Sequence, residues 1–247
     1  MRALLLAAGR GERMRPLTDT VPKPLLPVGG RALIEWQIEA MVRAGIRELV
    51  INTAHLAVQL EAALGDGQRY GARIRYSREG TQAGDALETL GGIVRALPML
   101  GDQAFVLASG DIVTDFDYAS LMPAGRVIEQ GRFDGHLVLV ENPPYHPAGD
   151  MNAGPAMADG AGPEQGEATL VASRDPVPGE ARWQFTYANI AVLSPRLFAG
   201  LSPVRARLFP WLFGAVERGR ISAQLWRGGW WNVGTPQELA TVDAIKR

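Results

Sequence analysis

Short apolar segments alternate with amphipathic segments through the first 110 residues of the chain. The apolar segments Arg2–Leu6, Leu49–Ile51 and Ala104–Ala108 show no regular polar alternation. Such strands are buried on both faces, which is typical of a parallel sheet that helices cover on each side. Five of the six tryptophans follow residue 182, which indicates a different packing environment there. The pattern predicts a three-layer, Rossmann-like α/β fold with a mainly parallel sheet and a C-terminal lid region.

The spacing of apolar residues predicts where the helices lie. Stripes at helical spacing begin near residues 34, 56, 90 and 208, and we expect these helices to end at Gly45, Gly65, Pro98 and Gly219. A last helix is expected after Thr235. In the sequence Thr235-Pro236-Gln237-Glu238, Thr is a typical N-cap, Pro is favoured at the first helical position, and Glu stands three residues after the cap. Further strands are expected at Arg73–Tyr76, His136–Val140 and Phe185–Leu193.

Glycine and proline, with 29 and 17 residues, are unusually frequent and concentrate in two segments. Residues 9–30 carry prolines at 16, 22, 24 and 27, so this segment is predicted to be a long loop, either ordered or disordered. In Asn142–Gly166, 10 of 25 residues are glycine or proline without an apolar period. We expect a loop or a weak surface hairpin there.

Composition excludes several classes of protein. The formal net charge is -1, with 25 Lys and Arg against 26 Asp and Glu, which argues against binding to nucleic acid or to a membrane surface. The apolar runs are far shorter than the ~18 residues that span a bilayer, and the run at residues 4–8 is too short for a signal peptide. Cysteine is absent, which excludes disulfides, thiolate metal sites and a Cys nucleophile. We expect a cytoplasmic protein.

The turn Gly9-Arg10-Gly11, which follows the first strand, is a candidate anion site. A dinucleotide-binding turn would carry a third glycine at Met14 and a helix that Pro16 prevents, and a P-loop would carry Gly-Lys-Ser/Thr. Backbone N–H groups of such a turn can hold a phosphate. Four cations follow at Arg10, Arg13, Arg15 and Lys23. A phosphate-binding loop is favoured over a solvated basic loop; a nicotinamide oxidoreductase stays open as a rival class.

Two linked motifs resemble the signature of the sugar-1-phosphate nucleotidyltransferases. They are Ala7-Ala8-Gly9-Arg10-Gly11-Glu12-Arg13-Met14-Arg15-Pro16-Leu17-Thr18 and Pro22-Lys23-Pro24-Leu25, with Glu12 where the family usually has Thr or Ser. The resemblance continues through residues 87–92, Gly110-Asp111, residues 114–117 and 231–235. It covers roughly residues 1–141 and 183–243 and leaves the Gly/Pro-rich segment out.

The resemblance implies attack of a sugar-1-phosphate oxygen on the α-phosphorus of a nucleoside triphosphate, with release of pyrophosphate. Among subfamilies, the Leu-Glu-Thr and Gly-Asp-Ile-Val-Thr-Asp-Phe-Asp blocks look most like enzymes that use UTP and N-acetylmuramate 1-phosphate in cell-wall recycling. Mannose-1-phosphate guanylyltransferases are the second possibility, and other hexose-1-phosphate nucleotidyltransferases stay open. A single domain is expected, with a nucleotide-binding core (1–141), an insertion (142–182) and a sugar-binding C-terminal part (183–247).

The resemblance also assigns roles to residues. Arg13 and Lys23 are the expected catalytic cations, Arg13 on the triphosphate and Lys23 between donor and acceptor phosphates. The nucleotide-binding candidates are Ala8, Gly9, Gly11, Glu88 and Gly91. For Lys23 the alternative is a plain surface lysine. Glu88 can accept from uracil or from guanine, so it leaves the choice between UTP and GTP open.

Asp111 and Asn232 are the expected ligands of a Mg²⁺ ion. Asp111 follows a buried strand and a glycine, and a hard carboxylate there suits Mg²⁺. The family usually has Asp at the position of Asn232, and the missing charge predicts weaker metal binding. A catalytically weakened protein that only binds sugar nucleotides therefore stays open. The alternative for Asp111 is a turn-capping role, and at least one of Asp115 and Asp117 is expected to be an N-cap.

Three polar residues are candidates for binding the hydroxyl groups of the sugar: Asn142, Asp150 and Asn189. Polar loop residues are common without any ligand, so ordinary loop hydrogen bonding is the alternative. Trp230 and Trp231 are expected to pack in the core rather than line the site. The sequence leaves the oligomeric state open.

Overall fold

The computed structural model describes residues 1–80, 82–155, 170–174 and 184–247. The strands, in chain order, are β1 Arg2–Leu6, β2 Pro27–Val28, β3 Arg31–Ala32, β4 Glu48–Thr53, β5 Arg73–Arg78, β6 Phe105–Ser109, β7 Ile112–Thr114, β8 Gly135–Glu141, β9 Asn152–Pro155, β10 Leu170–Ser173, β11 Phe185–Leu193, β12 Ile221–Trp226 and β13 Trp230–Asn232. The α-helices are α1 Leu33–Arg43, α2 Ala57–Leu64, α3 Glu88–Leu100, α4 Met122–Glu129, α5 Phe213–Glu217 and α6 Pro236–Lys246.

Nine of these strands form one sheet in the order β5-β4-β1-β6-β11-β8-β12-β10-β9. Strands β5, β4, β1 and β6 are parallel, and β12 is parallel to β8. Only β10 and β11 run against the other strands of this sheet. The predicted mainly parallel sheet is confirmed. Because β1 lies between β4 and β6, the carboxyl ends of these three strands meet at one edge.

The sheet is buried on both faces. Along β1, Ala3 and Leu5 belong to one apolar core, whereas Leu4 belongs to the other. Helices α1, α2 and α4 contribute to the first core, and α3 and α5 contribute to the second. This arrangement is the predicted three-layer fold, and it explains why these strands are apolar at consecutive rather than alternate positions.

The proline-rich segment 9–30 is ordered and has a small core of its own. Three short 3₁₀ turns at Glu12–Met14, Leu17–Asp19 and Lys23–Leu25 lead into the β2–β3 hairpin. Met14 and Leu26 are buried against Val233 and Val242, which follow β13 and lie in α6. The C-terminal part therefore packs against the proline-rich segment 9–30. Whether this C-terminal part moves as a lid stays a prediction.

Two helix predictions need correction. Helix α3 continues past Pro98 to Leu100, because a proline in the last turn removes one hydrogen bond without stopping the turn. The stripe from Leu208 becomes α-helix only at Phe213–Glu217. Before it, Phe213 N bonds Pro210 O at 3.0 Å, an i to i+3 bond that closes a turn. Strands β2, β3, β7, β10, β12 and β13 and helix α4 are present without having been predicted.

Other expectations about the C-terminal half are confirmed. Thr235 Oγ1 accepts a hydrogen bond from Glu238 N at 3.2 Å and so caps α6. Strand β9 lies within the Gly/Pro-rich segment Asn142–Gly166 and pairs antiparallel with β10, which follows that segment. The rest of the loop or hairpin prediction falls on residues 156–166, outside the described residues. No described helix is long and apolar enough to cross a membrane.

Candidate active site

A cleft of about 570 Å³ opens at the carboxyl edge of the sheet, where β1, β4, β5 and β6 end. The residues that line it come from these strand ends, from the glycine turn and from the start of α3. They are Leu6, Ala8, Gly9, Arg10, Glu12, Asn52, Glu79, Gly84, Ala86, Glu88, Thr89, Ser109, Asp111 and Arg205. The cleft lies where parallel sheets usually bind their ligands.

The glycine turn requires glycine at position 11. Gly11 has φ +71, and a Cβ there would lie 3.1 Å from carbons of Lys23 and Thr18. The carbonyl of Gly11 accepts from Met14 N and from Thr18 Oγ1, both at 2.9 Å. Gly9, in contrast, faces open space within 4 Å. The turn is therefore fixed at Gly11 and accessible to a ligand at Gly9.

Lys23 and Asp111 meet at the cleft. The Lys23 ammonium donates a hydrogen bond to Asp111 Oδ2. Pro22 and Pro24 flank Lys23, which is only 9% exposed. A plain surface position for Lys23 is thus wrong, because the side chain is nearly buried and a carboxylate holds its charge. The catalytic role of Lys23 stays a prediction.

Asn232 and Arg13 lie beside this pair. Asn232 in β13 is the strand partner of Ile112, and Val233 N donates to Asp111 O at 3.0 Å. The Arg13 guanidinium lies against Gly234, where a Cβ would be 2.7 Å from Nη2. Of these four residues, Asp111 is the one that lines the cleft, and Lys23 is bonded to it. Asn232 and Arg13 are linked to Asp111 through the β7–β13 pairing and Gly234, and their roles in the site stay predictions.

Tyr145 joins the same group, although the sequence analysis did not single it out. Its hydroxyl interacts with the Asn232 side chain, and the charges of Arg13 and Asp111 reach it. Desolvation, and after it the negative charge of Glu238, raise the pKa of Tyr145 to about 12, although the residue is 53% exposed. A tyrosine in a loop without periodicity offers no sequence signal of this position.

The side chains of Asp111 and Asn232 suit a hard cation whose other ligands are water and phosphate oxygens. Asp111 offers a carboxylate and Asn232 a carboxamide, and the described part of the chain holds no cluster of three or more His, Asp or Glu that could enclose an ion. Mg²⁺ commonly binds through one or two carboxylates plus water and phosphate. The residues therefore fit a Mg²⁺ ion that arrives with a polyphosphate.

The remaining nucleotide candidates lie at the start of α3. Glu88 lines the cleft with φ +59 and faces Arg205 Nη2 at 3.5 Å. Gly91 is buried, and a Cβ there would lie 2.2 Å from the Val204 carbonyl oxygen. Glycine at 91 is thus needed for close backbone packing; a contact of Gly91 with the nucleotide stays a prediction.

The three sugar candidates all lie outside the described lining of the cleft. Asn142 Oδ1 accepts from Thr186 Oγ1 at 2.9 Å. Asp150 accepts from Tyr187 N at 2.8 Å and pairs with His146. These bonds hold the loop that carries Tyr145.

Asn189 has φ +58 at a bulge of β11. A role for Asn142, Asp150 or Asn189 in binding the sugar stays a prediction.

Two other expectations concern an N-cap and the tryptophans. Asp117 Oδ1 accepts from Ala119 N at 2.9 Å, so the expected N-cap is confirmed. Trp230 Nε1 donates to Ala188 O at 2.9 Å, and the Lys246 ammonium lies 4.7 Å from the centroid of the Trp231 ring. Both contacts fit the packing role expected for these tryptophans.

Comparison with known proteins identifies the family. The family model described as "Nucleotidyl transferase" matches residues 2–144. The chain is 42% identical over 246 residues to the N-acetylmuramate alpha-1-phosphate uridylyltransferase of Neisseria meningitidis serogroup B, covering 99% of this chain and 98% of that one. It is 32% identical to the enzyme of the same name from Caulobacter vibrioides, covering 98% and 95%.

The solved structure of a putative glucose-1-phosphate thymidylyltransferase from Bacillus anthracis, in complex with a sucrose, has the same fold. Its TM-score is 0.75 at 18% identity, and the match covers all of this chain and 96% of that one. The alignment with the Neisseria enzyme covers 99% of the chain. The similarity therefore extends beyond residues 1–141 and 183–243, the extent expected from the sequence motifs. The chain therefore belongs to the nucleotidyl transferase family, as a sugar-1-phosphate nucleotidyltransferase.

Proposed function

We propose that this chain transfers the uridylyl group of UTP to N-acetylmuramate 1-phosphate, forming UDP-N-acetylmuramate and pyrophosphate. The observation that carries the proposal is the Lys23–Asp111 pair beside the Gly9–Gly11 turn. It occurs in a chain that aligns almost end to end with two uridylyltransferases of that acceptor. The proposed acceptor is a cell-wall sugar, and we accordingly propose a role in peptidoglycan recycling in the cytoplasm.

The chain's contribution to this reaction is positioning and neutralisation of charge. Two anions must approach each other, and in this chemistry no covalent nucleophile is needed. Backbone N–H groups of the Ala8–Gly11 turn bind the triphosphate. The Lys23 ammonium exchanges part of its hydrogen bonding to Asp111 for hydrogen bonds to the donor and acceptor phosphates, which it bridges. Arg13 stabilises the charge that develops on the departing pyrophosphate.

Asp111 and Asn232 would hold Mg²⁺ together with the phosphates. A bound Mg²⁺ ion would neutralise phosphate charge and help to orient the triphosphate. Asn232 would supply an oxygen without a negative charge, so Asp111 and the nucleotide would be the stronger ligands of the ion. Tyr145 supports this arrangement through its interaction with the Asn232 side chain.

A mannose-1-phosphate guanylyltransferase is the second candidate, and Glu88 is the observation that favours it. Its carboxylate lines the cleft. Guanine offers two donors to a carboxylate, at N1 and at the exocyclic amine, whereas uracil offers one at N3. The mannose-1-phosphate guanylyltransferase of Mycobacterium tuberculosis is 33% identical over 138 residues, 56% of this chain.

The test is pyrophosphate release across a matrix of UTP, GTP, dTTP and ATP against N-acetylmuramate, mannose, glucose and N-acetylglucosamine 1-phosphates, with Mg²⁺. The proposal expects the highest kcat/KM for UTP with N-acetylmuramate 1-phosphate. A maximum with GTP and mannose 1-phosphate would establish the second candidate. Nucleotide binding without turnover of any pair would support a weakened, binding-only protein instead.

A further inference from the structure

Three consecutive residues around Asp111 are each held by a different element of the fold. Gly110 N donates to the last carbonyl group of β1 at 2.9 Å. Asp111 O accepts from Val233 N, directly after β13, at 3.0 Å. Ile112 O, at the start of β7, accepts from the side-chain amide of Gln37 in α1 at 2.8 Å. Because the third bond comes from a side chain, it is the one that a substitution can remove while the backbone stays the same.

Gln37 is a fully buried polar side chain in α1, a helix whose other buried residues are all apolar. Burying an amide destabilises a fold unless its donor and its acceptor both find partners. Gln37 Nε2 donates to Ile112 O, and Gln37 Oε1 accepts from the hydroxyl of Tyr118, which is fully buried too. The amide is therefore bonded at both ends, and its contact with β7 accounts for a polar residue in this core.

The orientation of the Gln37 amide follows from its partners. Ile112 O is a carbonyl oxygen, which only accepts, so the NH₂ group of Gln37 faces it. The amide oxygen then faces Tyr118, whose hydroxyl donates. Burial raises the pKa of Tyr118, so this hydroxyl keeps its proton. Both partners thus favour the orientation in which Gln37 donates to β7.

The bond from Gln37 acts on the strand that joins the two expected metal ligands. Ile112 directly follows Asp111 and is the strand partner of Asn232 in β13. Successive carbonyl groups of a strand point to opposite sides, so Asp111 O bonds toward β13 whereas Ile112 O points toward α1. Within the described residues, β7 and β13 form a sheet of two strands. Gln37 therefore occupies the outer edge of β7, where a further strand would otherwise bond.

We propose that Gln37 is a positioning residue for Asp111: by holding Ile112 O it fixes the start of β7, and so sets the direction of the Asp111 carboxylate toward Lys23 and Mg²⁺. The proposal rests on the proposed function, in which Asp111 holds Mg²⁺ beside a nucleoside triphosphate. It does not depend on which base is preferred. Gln37 acts through Asp111 and takes no part in the transfer itself.

The test removes the bond to Ile112 and nearly preserves the volume of the side chain. In Gln37→Met the thioether has no N–H group, so Ile112 O loses its partner. Tyr118→Phe is the matched variant, since it removes the other bond of the same amide and leaves the donor to Ile112 in place. Ser222→Ala controls for the loss of a buried bond elsewhere. Ser222 Oγ donates to Gly135 O at 3.3 Å near the starts of β8 and β12, at the sheet edge opposite the cleft.

Two quantities are measured, with the thermal midpoint as a check on folding. They are the initial rate as a function of Mg²⁺ concentration at saturating substrates, and the affinity for UTP by calorimetry without acceptor, in Mg²⁺ and in EDTA. We expect Gln37→Met to need about tenfold more Mg²⁺ for half-maximal rate, as is common when a residue that holds a metal ligand is removed. It should also lose most of the gain in UTP affinity that Mg²⁺ gives wild type, with affinity in EDTA unchanged.

The two comparison variants should behave differently. Tyr118→Phe and Ser222→Ala are expected to lower the thermal midpoint, because each leaves a buried group without its partner. Their Mg²⁺ requirement should stay within about twofold of wild type, since neither change frees Ile112 O. Should Gln37→Met fail to fold, Gln37→Met/Tyr118→Phe, which leaves no hydroxyl unpartnered at this place, is compared with Tyr118→Phe by the same criteria.

Wild-type Mg²⁺ dependence and wild-type UTP affinity in folded Gln37→Met would overturn the proposal. An equal shift in Tyr118→Phe or Ser222→Ala would overturn it too, because the effect would then follow general destabilisation rather than the bond to Ile112. The same holds if wild type binds UTP equally well in Mg²⁺ and in EDTA. A wild-type preference for GTP would count against the proposed function alone, and the comparison with GTP in place of UTP would then decide this proposal.

Discussion

The ammonium group of Lys23 is hydrogen-bonded to the carboxylate of Asp111, although 88 positions separate the two residues. The bond joins the proline-rich loop to the end of β6. It neutralises a nearly buried cation, and in the proposed reaction that cation would exchange the carboxylate for phosphate oxygens. The Lys23–Asp111 pair therefore anchors the proline-rich segment 9–30 and also neutralises the Asp111 charge in the cleft.

The first prediction concerns this pair. Lys23→Met should lower kcat/KM by at least about 100-fold, the loss typical of removing one preorganised charge from a transfer site. Asp111→Asn should have a comparable effect, and the double variant should be little worse than either single one, because paired residues act as a unit. Pyrophosphate release measures all three.

Asp117→Asn is the control for the same chemical change. Asp117 caps a turn six residues further along, and asparagine is an equally good cap, so activity and stability should stay near wild type. Multiplicative losses in the Lys23 and Asp111 double variant would mean that the two side chains contribute independently, against the coupling argued above.

The second prediction concerns Asn232. Asn232→Asp adds a negative charge beside Asp111, so half-maximal activity should require about tenfold less Mg²⁺. The measurement is the initial rate as a function of Mg²⁺ concentration at saturating substrates. Gln237→Glu adds the same charge at an exposed position on α6 and should leave the Mg²⁺ requirement unchanged. Equal Mg²⁺ curves for Asn232→Asp and wild type would remove Asn232 from the metal site.

Local sequence patterns carried much of the fold and the centre of the site. The predicted β1 and β11 match the observed strands residue for residue, because apolar runs bounded by turns leave little freedom in where a strand ends. Lys23 could be singled out through the family resemblance and its flanking prolines, and Asp111 through the strand end and the glycine that precede it. Both signals lie within a few residues of the side chain concerned.

The rest depends on contacts between distant segments. Glu79, which lines the cleft, bonds to Asn52, 27 residues before it, and to Leu87, eight residues after it. Nothing in the residues around Glu79 announces such a partner. Asn142 and Asp150 bond within their own part of the chain. A polar loop residue can hold its own loop as well as bind a sugar, and the local sequence does not separate the two roles, so sugar binding by these residues stays a prediction.

A third prediction separates two glycines of the same turn. Gly11→Ala should lower the free energy of unfolding by about 1–2 kcal/mol, because alanine is disfavoured at φ +71 and its Cβ would press on Lys23. Gly9→Ala, which meets no atom within 4 Å, should change stability little and weaken nucleotide binding instead. Urea unfolding and calorimetric titration distinguish the two effects. Equal stability losses for both variants would contradict the assignment of the fixed point to Gly11.

A fourth prediction concerns pH and a buried histidine far from the transfer chemistry. His136 in β8 lies between Ser222 Oγ and Gln224 Oε1, each 2.9 Å from a ring nitrogen, and burial lowers its pKa below the usual 6.5. The unfolded chain therefore binds a proton first as pH falls, so the free energy of unfolding should drop by up to about 1.4 kcal/mol per pH unit below pH 6.5, until the folded form is protonated too. Urea unfolding at pH 7.5, 6.0 and 5.0 measures this slope, and His136→Gln should flatten it. The double variant His55→Gln/His146→Gln, which replaces the other two histidines, should retain the dependence of the unfolding free energy on pH. Loss of this dependence in the double variant would show that His136 is not its source.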